Sequence, residues 1–188
     1  FAIEPTKGSM LCVFARDITE RKYMEEALTW ESHINAILAD LSRSLLASTT
    51  LDDMACKVLE YARSMTGSAF GYVGYIDPRT GYLIAPTMTR DIWEACEVPD
   101  KDIVFKSFGG LWGWVLDHRT SLMTNEPCND ARSSGIPQGH IPICRFLSAP
   151  AMVGDKLVGQ IALANAEQDY TQRDLVLIAV LDVIVISA

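Results

Sequence analysis

Apolar residues return every three or four positions through the first quarter of the chain. No proline or glycine interrupts residues 20–47, so the spacing predicts one helix, far longer than the three-turn average of globular proteins. Part of the apolar stripe repeats close to a heptad, which is typical of a seam between paired helices in a homodimer. The seam positions are Ala27, Trp30, Ile34, Ile37 and Leu41. The alternative is that the second half of the helix packs on its own domain.

Shorter helices and strands follow this long helix. Apolar residues at helical spacing predict a second helix over residues 51–65 and a short one over residues 111–118. Apolar runs on both sides of tight turns predict antiparallel hairpins over residues 69–88 and 146–164. A capping pattern at Thr171 opens a last apolar helix. Hairpins with helices at both ends indicate an α+β fold, in which an antiparallel sheet carries the terminal helices on one face.

The other face of this sheet needs a cover, which the irregular region that follows the first hairpin can supply. Residues 125–143 are the longest stretch without periodicity, and loops of this length in compact domains are usually functional or mobile. A sheet face beneath such a loop predicts a small-molecule pocket. The candidate pocket residues are Phe105, Phe108, Trp112, Trp114 and His140. The two tryptophans cannot share a helix face, so we expect one in the core and the other against a ligand or partner.

Composition and charge narrow the class of protein. The chain has 188 residues, 49% of them hydrophobic and 21% charged, which is typical of one globular domain with a flanking piece. A net charge of −8 argues against a nucleic-acid-binding protein, whose binding surface is basic. The sequence contains no apolar run long enough to cross a bilayer and no signal peptide. Five scattered cysteines without a CxxC pair favour thiols in a reducing cytoplasm.

The sequence lacks the motifs of common catalytic centres. It has no phosphate-binding loop, no kinase catalytic motif and no GxSxG nucleophile turn. His33 lies on the long helix without the acidic neighbour typical of a phosphoacceptor histidine. Cys128 and His140 could meet in space as a nucleophile and a base, although we favour a structural thiol and a loop histidine. We therefore expect a non-catalytic domain, with any kinase region lying beyond Ala188.

Both ends of the chain look like cuts through a longer protein. Residues 10–16 predict a strand with nothing before it to pair with, so we expect it to close a domain that is mostly missing. The run VFARDITERK at residues 13–22, followed by EEAL at residues 25–28, resembles the closing strand and exit helix of a PAS domain.

A second resemblance covers most of the remaining chain. Five motifs resemble those of GAF domains, and they run from the first hairpin to the last one. They are GYVGYID at residues 71–77, GGLWGWV at 109–115, GHIP at 139–142, FLSAP at 146–150 and LVGQIALAN at 157–165.

Together the resemblances imply three segments. These are the end of a PAS domain over residues 1–19, a helical linker over residues 20–32 and a GAF domain over residues 33–188. The order is similar to the sensory half of PAS–GAF sensor histidine kinases of bacteria and methanogenic archaea. It implies a cytoplasmic module that binds a small ligand and relays this through dimeric terminal helices to a downstream kinase region of the same chain. A dimerisation and relay domain without any ligand is the alternative from another class.

The known ligands of GAF domains fit this sequence unequally. Cyclic-nucleotide GAF domains carry an Asn-Lys…Phe…Asp-Glu pattern, of which only Asn165 and Asp174 are present, so we disfavour a cyclic nucleotide. A bilin is attached through a cysteine beside an Asp-Ile-Pro run, and the sequence lacks this combination.

Haem is a further alternative, as the cofactor of a redox or gas sensor. Some GAF domains of methanogen sensor kinases hold haem through a histidine, and in some a cysteine also attaches it covalently. The resemblance therefore implies His140 as the conditional iron ligand, with Cys96 or Cys128 as the conditional covalent anchor. Against this, His140 could simply bond a carbonyl and shape its loop.

Overall fold

The computed structural model describes residues 16–46, 50–88, 93, 96–99 and 102–186. The chain divides into two compact units, residues 1–36 and residues 37–188. The strand predicted over residues 10–16 lies outside the described residues, apart from Arg16. None of the helices in the described segments is long and apolar enough to span a membrane.

Helix α1 covers Thr19–Leu46, so the long uninterrupted helix predicted from the apolar spacing is confirmed. Asp17 opens it, because its Oδ1 accepts a hydrogen bond from the backbone N–H of Thr19 at 2.9 Å. The side-chain hydroxyl of Thr19 and this backbone N–H together lower the pKa of Asp17, the hydroxyl more strongly. In the first unit, large apolar side chains of α1 are exposed, among them Tyr23 at 68% and Leu28 at 68%.

The second unit contains an antiparallel sheet of six described strands, which are β1 (Ser68–Ile76), β2 (Leu83–Ile84), β3 (Val104–Phe105), β4 (Leu122–Thr124), β5 (Phe146–Val153) and β6 (Lys156–Ala166). Their order across the sheet is β3-β2-β1-β6-β5-β4. Both predicted hairpins, β1–β2 and β5–β6, are present. The centre of the sheet is the β1–β6 pair, which joins Ser68 to Ala166 and Tyr75 to Gly159. The α+β fold is therefore confirmed.

Two helices cover one face of this sheet. Helix α2 (Leu51–Thr66) packs on β1, and helix α4 (Gln172–Ile186) packs on β5 and touches α2. A Cβ atom on Gly71 would lie 2.6 Å from Leu163 Cδ2 and 3.1 Å from Leu59 Cδ1. Only glycine therefore lets α2 and the two central strands approach this closely. The fully or nearly fully buried side chains of this layer include Val58, Leu59, Leu147, Ile161, Leu163, Leu177, Ile178 and Leu181.

The second half of α1 belongs to the same domain as these helices. Ile37 is 8% exposed and Leu41 is 0% exposed, so neither side chain offers surface to a second copy of the chain. The hydroxyl of Tyr61 on α2 donates a hydrogen bond to Asp40 of α1. Of the five seam positions, Ile37 and Leu41 are thus core residues of the single chain, as the alternative expected. Ala27, Trp30 and Ile34 remain partly or fully exposed.

A short helix and a long loop lie on the opposite face of the sheet. Helix α3 (Gly110–His118) packs on β5 and β6. Its contact with the sheet is a small core of Leu111, Val115, Leu122, Phe146 and Ala162. Residues 125–143, here named the strap, connect β4 to the segment before β5. Because α3 covers only part of the sheet, a cavity remains between the sheet and the strap.

Candidate functional site

The cavity has a volume of about 600 Å³, within the usual range of small-molecule sites. Its floor is the sheet, its side wall is the start of α3 with the residues before it, and its roof is the strap. The floor includes Phe70, Tyr72, Phe146, Ala162 and Ala164, and the side wall runs from Ser107 to Trp112. The strap contributes Pro127, Cys128, Ser133, Ser134, Gly135, Ile136, Pro137, His140, Ile141 and Ile143.

Three of the five candidate pocket residues line this cavity, namely Phe108, Trp112 and His140. The ring centroid of Trp112 lies 5.8 Å from that of Phe108, edge to face, and 5.1 Å from that of Phe105. Phe105 is not itself in the lining but also stacks on Tyr72, at 6.4 Å. These spacings are those of favourable aromatic pairs. The rings therefore hold one another in place.

The fifth candidate, Trp114, lies outside the lining and fastens the strap instead. Its ring stacks on that of His118 at 4.3 Å, and the guanidinium of Arg132 lies 5.0 Å from its centroid. Arg132 also donates two hydrogen bonds to the carboxylate of Asp130, at 2.8 and 2.6 Å. The side-chain hydrogen bond from Arg132 lowers the pKa of Asp130 to about 2. The two tryptophans thus have separate roles, because they leave α3 on different sides.

Beneath the cavity, a buried hydrogen-bond network joins three strands to α3. Gln160 of β6 is 0% exposed, and its Oε1 accepts from the Tyr72 hydroxyl at 2.8 Å. Its Nε2 donates to the backbone carbonyl of Trp112 and to Ser148 Oγ, both at 2.9 Å. Burial raises the pKa of Tyr72 well above its usual range, so the phenol stays a donor. Gln160 is not among the residues predicted for the site, although an amide within an apolar strand run was the available signal.

His140 is half-buried in the cavity lining. Its Nδ1 lies 2.7 Å from the backbone carbonyl oxygen of Ile141. A carbonyl can only accept, so Nδ1 carries the proton, and in the neutral ring Nε2 is then the acceptor or metal-binding nitrogen.

The segment before His140 is locked to a distant part of the chain. The carbonyl of Gly139 accepts from the Glu97 N–H at 2.8 Å. Gly139 has φ +84°, and a Cβ atom there would lie 2.9 Å from the Glu97 backbone, so the position requires glycine. Cys96 is buried and directly precedes Glu97, so this hydrogen bond places it close to the residues before His140. Cys128 lies in the cavity lining itself.

Asn165 anchors the end of the strap. Its Oδ1 accepts from the Cys144 N–H at 2.7 Å, and its Nδ2 donates to the Pro142 carbonyl at 2.8 Å. Asp174 opens α4, because its Oδ2 accepts from both the N–H and the hydroxyl of Thr171 at 2.7 Å. Asn165 and Asp174 are the two residues that match the cyclic-nucleotide pattern. Asn165 is hydrogen-bonded to the backbone at the end of the strap, and Asp174 is hydrogen-bonded to Thr171 at the start of α4.

The sequence of this chain matches the profile of a known protein family. The sequence profile of the GAF domain family matches residues 48–181, which is most of the chain. The chain belongs to the GAF domain family. The resemblance identified from the five motifs is therefore confirmed for the GAF domain.

One known sensor protein and many solved GAF structures are similar to this chain. The methyl sulfide methyltransferase-associated sensor of Methanosarcina acetivorans is 30% identical over 164 residues. The match covers 86% of this chain but only 16% of that sensor. The GAF domain of a Coxiella burnetii phosphoenolpyruvate-protein phosphotransferase superposes with a TM-score of 0.67 at 13% identity, over 82% of this chain and 90% of that one.

An enzyme shares the same fold. The free methionine-R-sulfoxide reductase of Neisseria meningitidis, solved with its substrate, superposes with a TM-score of 0.62 at 10% identity. The match covers 81% of this chain and 85% of the reductase. At such identities the likeness shows the fold alone, so function has to be argued from the cavity.

Proposed function

We propose that this GAF domain is a non-catalytic sensory module that binds a small molecule in the cavity beneath the strap. The observation that carries the proposal is the preformed aromatic wall of Phe108 and Trp112, held in place by Phe105 and the Gln160 network. Preorganised walls lower the ordering cost of binding. The similarity to a methanogen sensor protein supports a sensory role.

A ligand in this position would touch both the rigid floor and the strap. Binding that orders the strap favours one of two conformations of the domain, which is how a ligand shifts a signalling equilibrium. The floor strand β1 packs against α2, and Tyr61 of α2 is hydrogen-bonded to Asp40 of α1. A displacement of β1 would therefore reach α1 through one packed helix and one hydrogen bond.

For the parent protein, we propose a sensor histidine kinase in which a PAS domain, ending within residues 1–19, precedes the GAF domain and a kinase region follows Ala188. We also propose that two copies pair through the exposed part of α1 at Ala27, Trp30 and Ile34, so that the change in one cavity acts on a symmetric helix pair. The support is the PAS-like run at residues 13–22, which extends into the start of α1, and the regular stripe on the helix. Autophosphorylation of the full-length parent with ATP tests the kinase part.

A haem-based redox or gas sensor is the second candidate, and one observation favours it. The bond between His140 Nδ1 and the Ile141 carbonyl is the arrangement that holds a metal-binding imidazole in its ring orientation. The residues fit the group: His140 would hold the iron between the apolar walls, and Cys128 or Cys96 would provide the covalent anchor. Bound haem would supply electron transfer or gas binding at its iron.

The absorption spectrum of the purified protein and the thermal shift caused by a ligand panel separate these functions. A ligand sensor should be colourless, and a bound ligand should raise its melting temperature and slow amide exchange over residues 125–143. The variant Ala162→Trp, which fills the cavity floor, should abolish this response. A Soret band that His140→Ala removes would instead establish the haem sensor. A colourless protein whose melting temperature no ligand changes would contradict both and leave a relay domain.

A further inference from the structure

We infer that the cavity selects an uncharged aromatic ring compound that carries a hydrogen-bond donor, and that His140 recognises this donor through Nε2. The inference rests on the proposed ligand-sensing function and names the chemical class of the ligand. Three features of the cavity carry it: its walls, the commitment of its polar groups and the tautomer of His140.

The walls set the apolar part of the ligand. Phe108 and Trp112 present ring surfaces, and Phe70, Leu111 and Phe146 continue the apolar lining. Moving an ion from water into such surroundings is unfavourable unless a partner charge is present. A flat ring can pack against Trp112 in a tilted or edge-to-face contact, as Phe105 and Phe108 already do. A cavity of about 600 Å³ has room for a compound of two or three fused rings.

Most polar groups beneath and around these walls are already engaged. The Tyr72 hydroxyl donates to Gln160, and the amide of Gln160 donates to the Trp112 carbonyl. Ser133 Oγ accepts from the Gly135 N–H at 3.2 Å, and Ser134 lies at the exposed rim. Among the half-buried polar side chains described in the lining, Ser133 already accepts a hydrogen bond, whereas His140 keeps Nε2 as an acceptor for a ligand.

The tautomer of His140 determines which group of a ligand it can hydrogen-bond. Its Nδ1–H is bonded to the carbonyl of its own neighbour, Ile141, at 2.7 Å. The nitrogen left for a ligand is Nε2, which in the neutral ring accepts a hydrogen bond. The matching ligand therefore offers a hydroxyl or an N–H group, as phenols and ring amines do.

Matched probes test both halves of the inference by isothermal titration calorimetry. The probes are 2-naphthol, its methyl ether 2-methoxynaphthalene, the anion 2-naphthalenesulfonate and the cation 2-naphthylmethylammonium. We expect 2-naphthol to bind the wild-type protein roughly three- to tenfold more tightly than the ether, because one additional hydrogen bond is worth about that factor. Both ions should bind more weakly than 2-naphthol.

Variants assign the donor contact to His140. In His140→Phe the ratio between 2-naphthol and its ether should fall to about one, and His140→Gln, which keeps an acceptor, should restore part of it. His118→Phe is the matched control, because His118 also places Nδ1 2.9 Å from a backbone carbonyl but lies outside the lining. Its ratio should equal that of the wild type. Circular dichroism confirms that each variant is folded.

Several outcomes would overturn the inference. A wild-type ratio of one between naphthol and ether excludes the donor contact, whether or not the His140 variants fold. Tighter binding of either ion excludes the uncharged class but leaves the ligand-sensing function in place. Binding of none of the four probes would contradict the inference, while the thermal shift with the ligand panel separately tests the ligand-sensing function. A Soret band that depends on His140 would show a metal at Nε2 in place of a donor.

Discussion

At the residue scale, one buried amide holds the cavity floor and its side wall together. Gln160 is surrounded by apolar strand residues, yet each of its amide atoms has a partner on a different element. A fully satisfied buried network specifies one arrangement, whereas a half-satisfied one is costly. The Tyr72 hydroxyl and the Trp112 backbone are thus held by a residue that lies outside the cavity lining.

Replacing Gln160 should therefore destabilise the domain more than replacing an exposed glutamine. We expect Gln160→Leu to lower the free energy of unfolding by about 1–3 kcal/mol, because it leaves the Tyr72 hydroxyl without its buried partner. Urea denaturation measures this, with Gln168→Leu in the exposed loop after β6 as the control. Equal stability of the two variants would contradict a structural role for the network.

At the element scale, the strap is firmly attached at its ends and loosely attached in its middle. The side chain of Asn125 exchanges two hydrogen bonds with the backbone of Tyr170, at 3.0 and 2.9 Å, and Asn165 holds the other end. All described hydrogen bonds of residues 133–138 stay within the strap. Segments of this kind open at low free-energy cost. The Arg132–Trp114 contact and the hydrogen bond from the Glu97 N–H to the Gly139 carbonyl then flank the loose part on its two sides.

Removing this fastening should open the strap. We expect Arg132→Ala to speed amide exchange of residues 133–138 roughly two- to fivefold at neutral pH, because a surface cation–π contact contributes about 0.5–1 kcal/mol. Arg132→Lys should fall in between, since it keeps the charge but loses the flat guanidinium. Hydrogen–deuterium exchange with mass spectrometry measures the rates, with Arg79→Ala on the distant β1–β2 turn as control. Unchanged exchange in Arg132→Ala would show that other contacts hold the strap.

At the scale of the whole molecule, α1 changes character along its length. Towards its C-terminal end the seam positions Ile37 and Leu41 are buried in the domain. In the first unit, Trp30 and Ile34 continue the same stripe with part of their surface exposed. A stripe with this spacing is suited to a parallel copy of the same helix.

A charge on the exposed part of the stripe should separate the two copies. We expect Ile34→Glu to weaken self-association at least tenfold, because a symmetric pair would place two like charges in its seam. Analytical ultracentrifugation measures this, and Asn35→Glu, one position off the stripe, should have little effect. A wild-type chain that sediments as a monomer at high micromolar concentration would contradict the dimer.

Much of the local structure and the family was determined by the sequence alone. The length of α1, the cap at Thr171 and the hairpin around residues 154 and 155 follow from periodicity, capping and turn chemistry. These features depend on neighbours within a few positions, so short-range sterics and hydrogen bonds decide them. The five motifs likewise identified the GAF domain, because each is a short contiguous sequence that can be recognised without knowing its contacts in the fold.

Only the tertiary structure decided which side chains meet. The pairing of β1 with β6 joins Ser68 to Ala166 across most of the domain, and it alone places Tyr72 beside Gln160. The same packing puts Trp112 in the cavity and Trp114 under Arg132, and it buries Ile37 and Leu41 in their own domain. A hydrophobic pattern predicts that a side chain is buried, but it does not predict which residues it packs against. Those residues are distant in the chain, and the packing of the whole domain determines which of them meet.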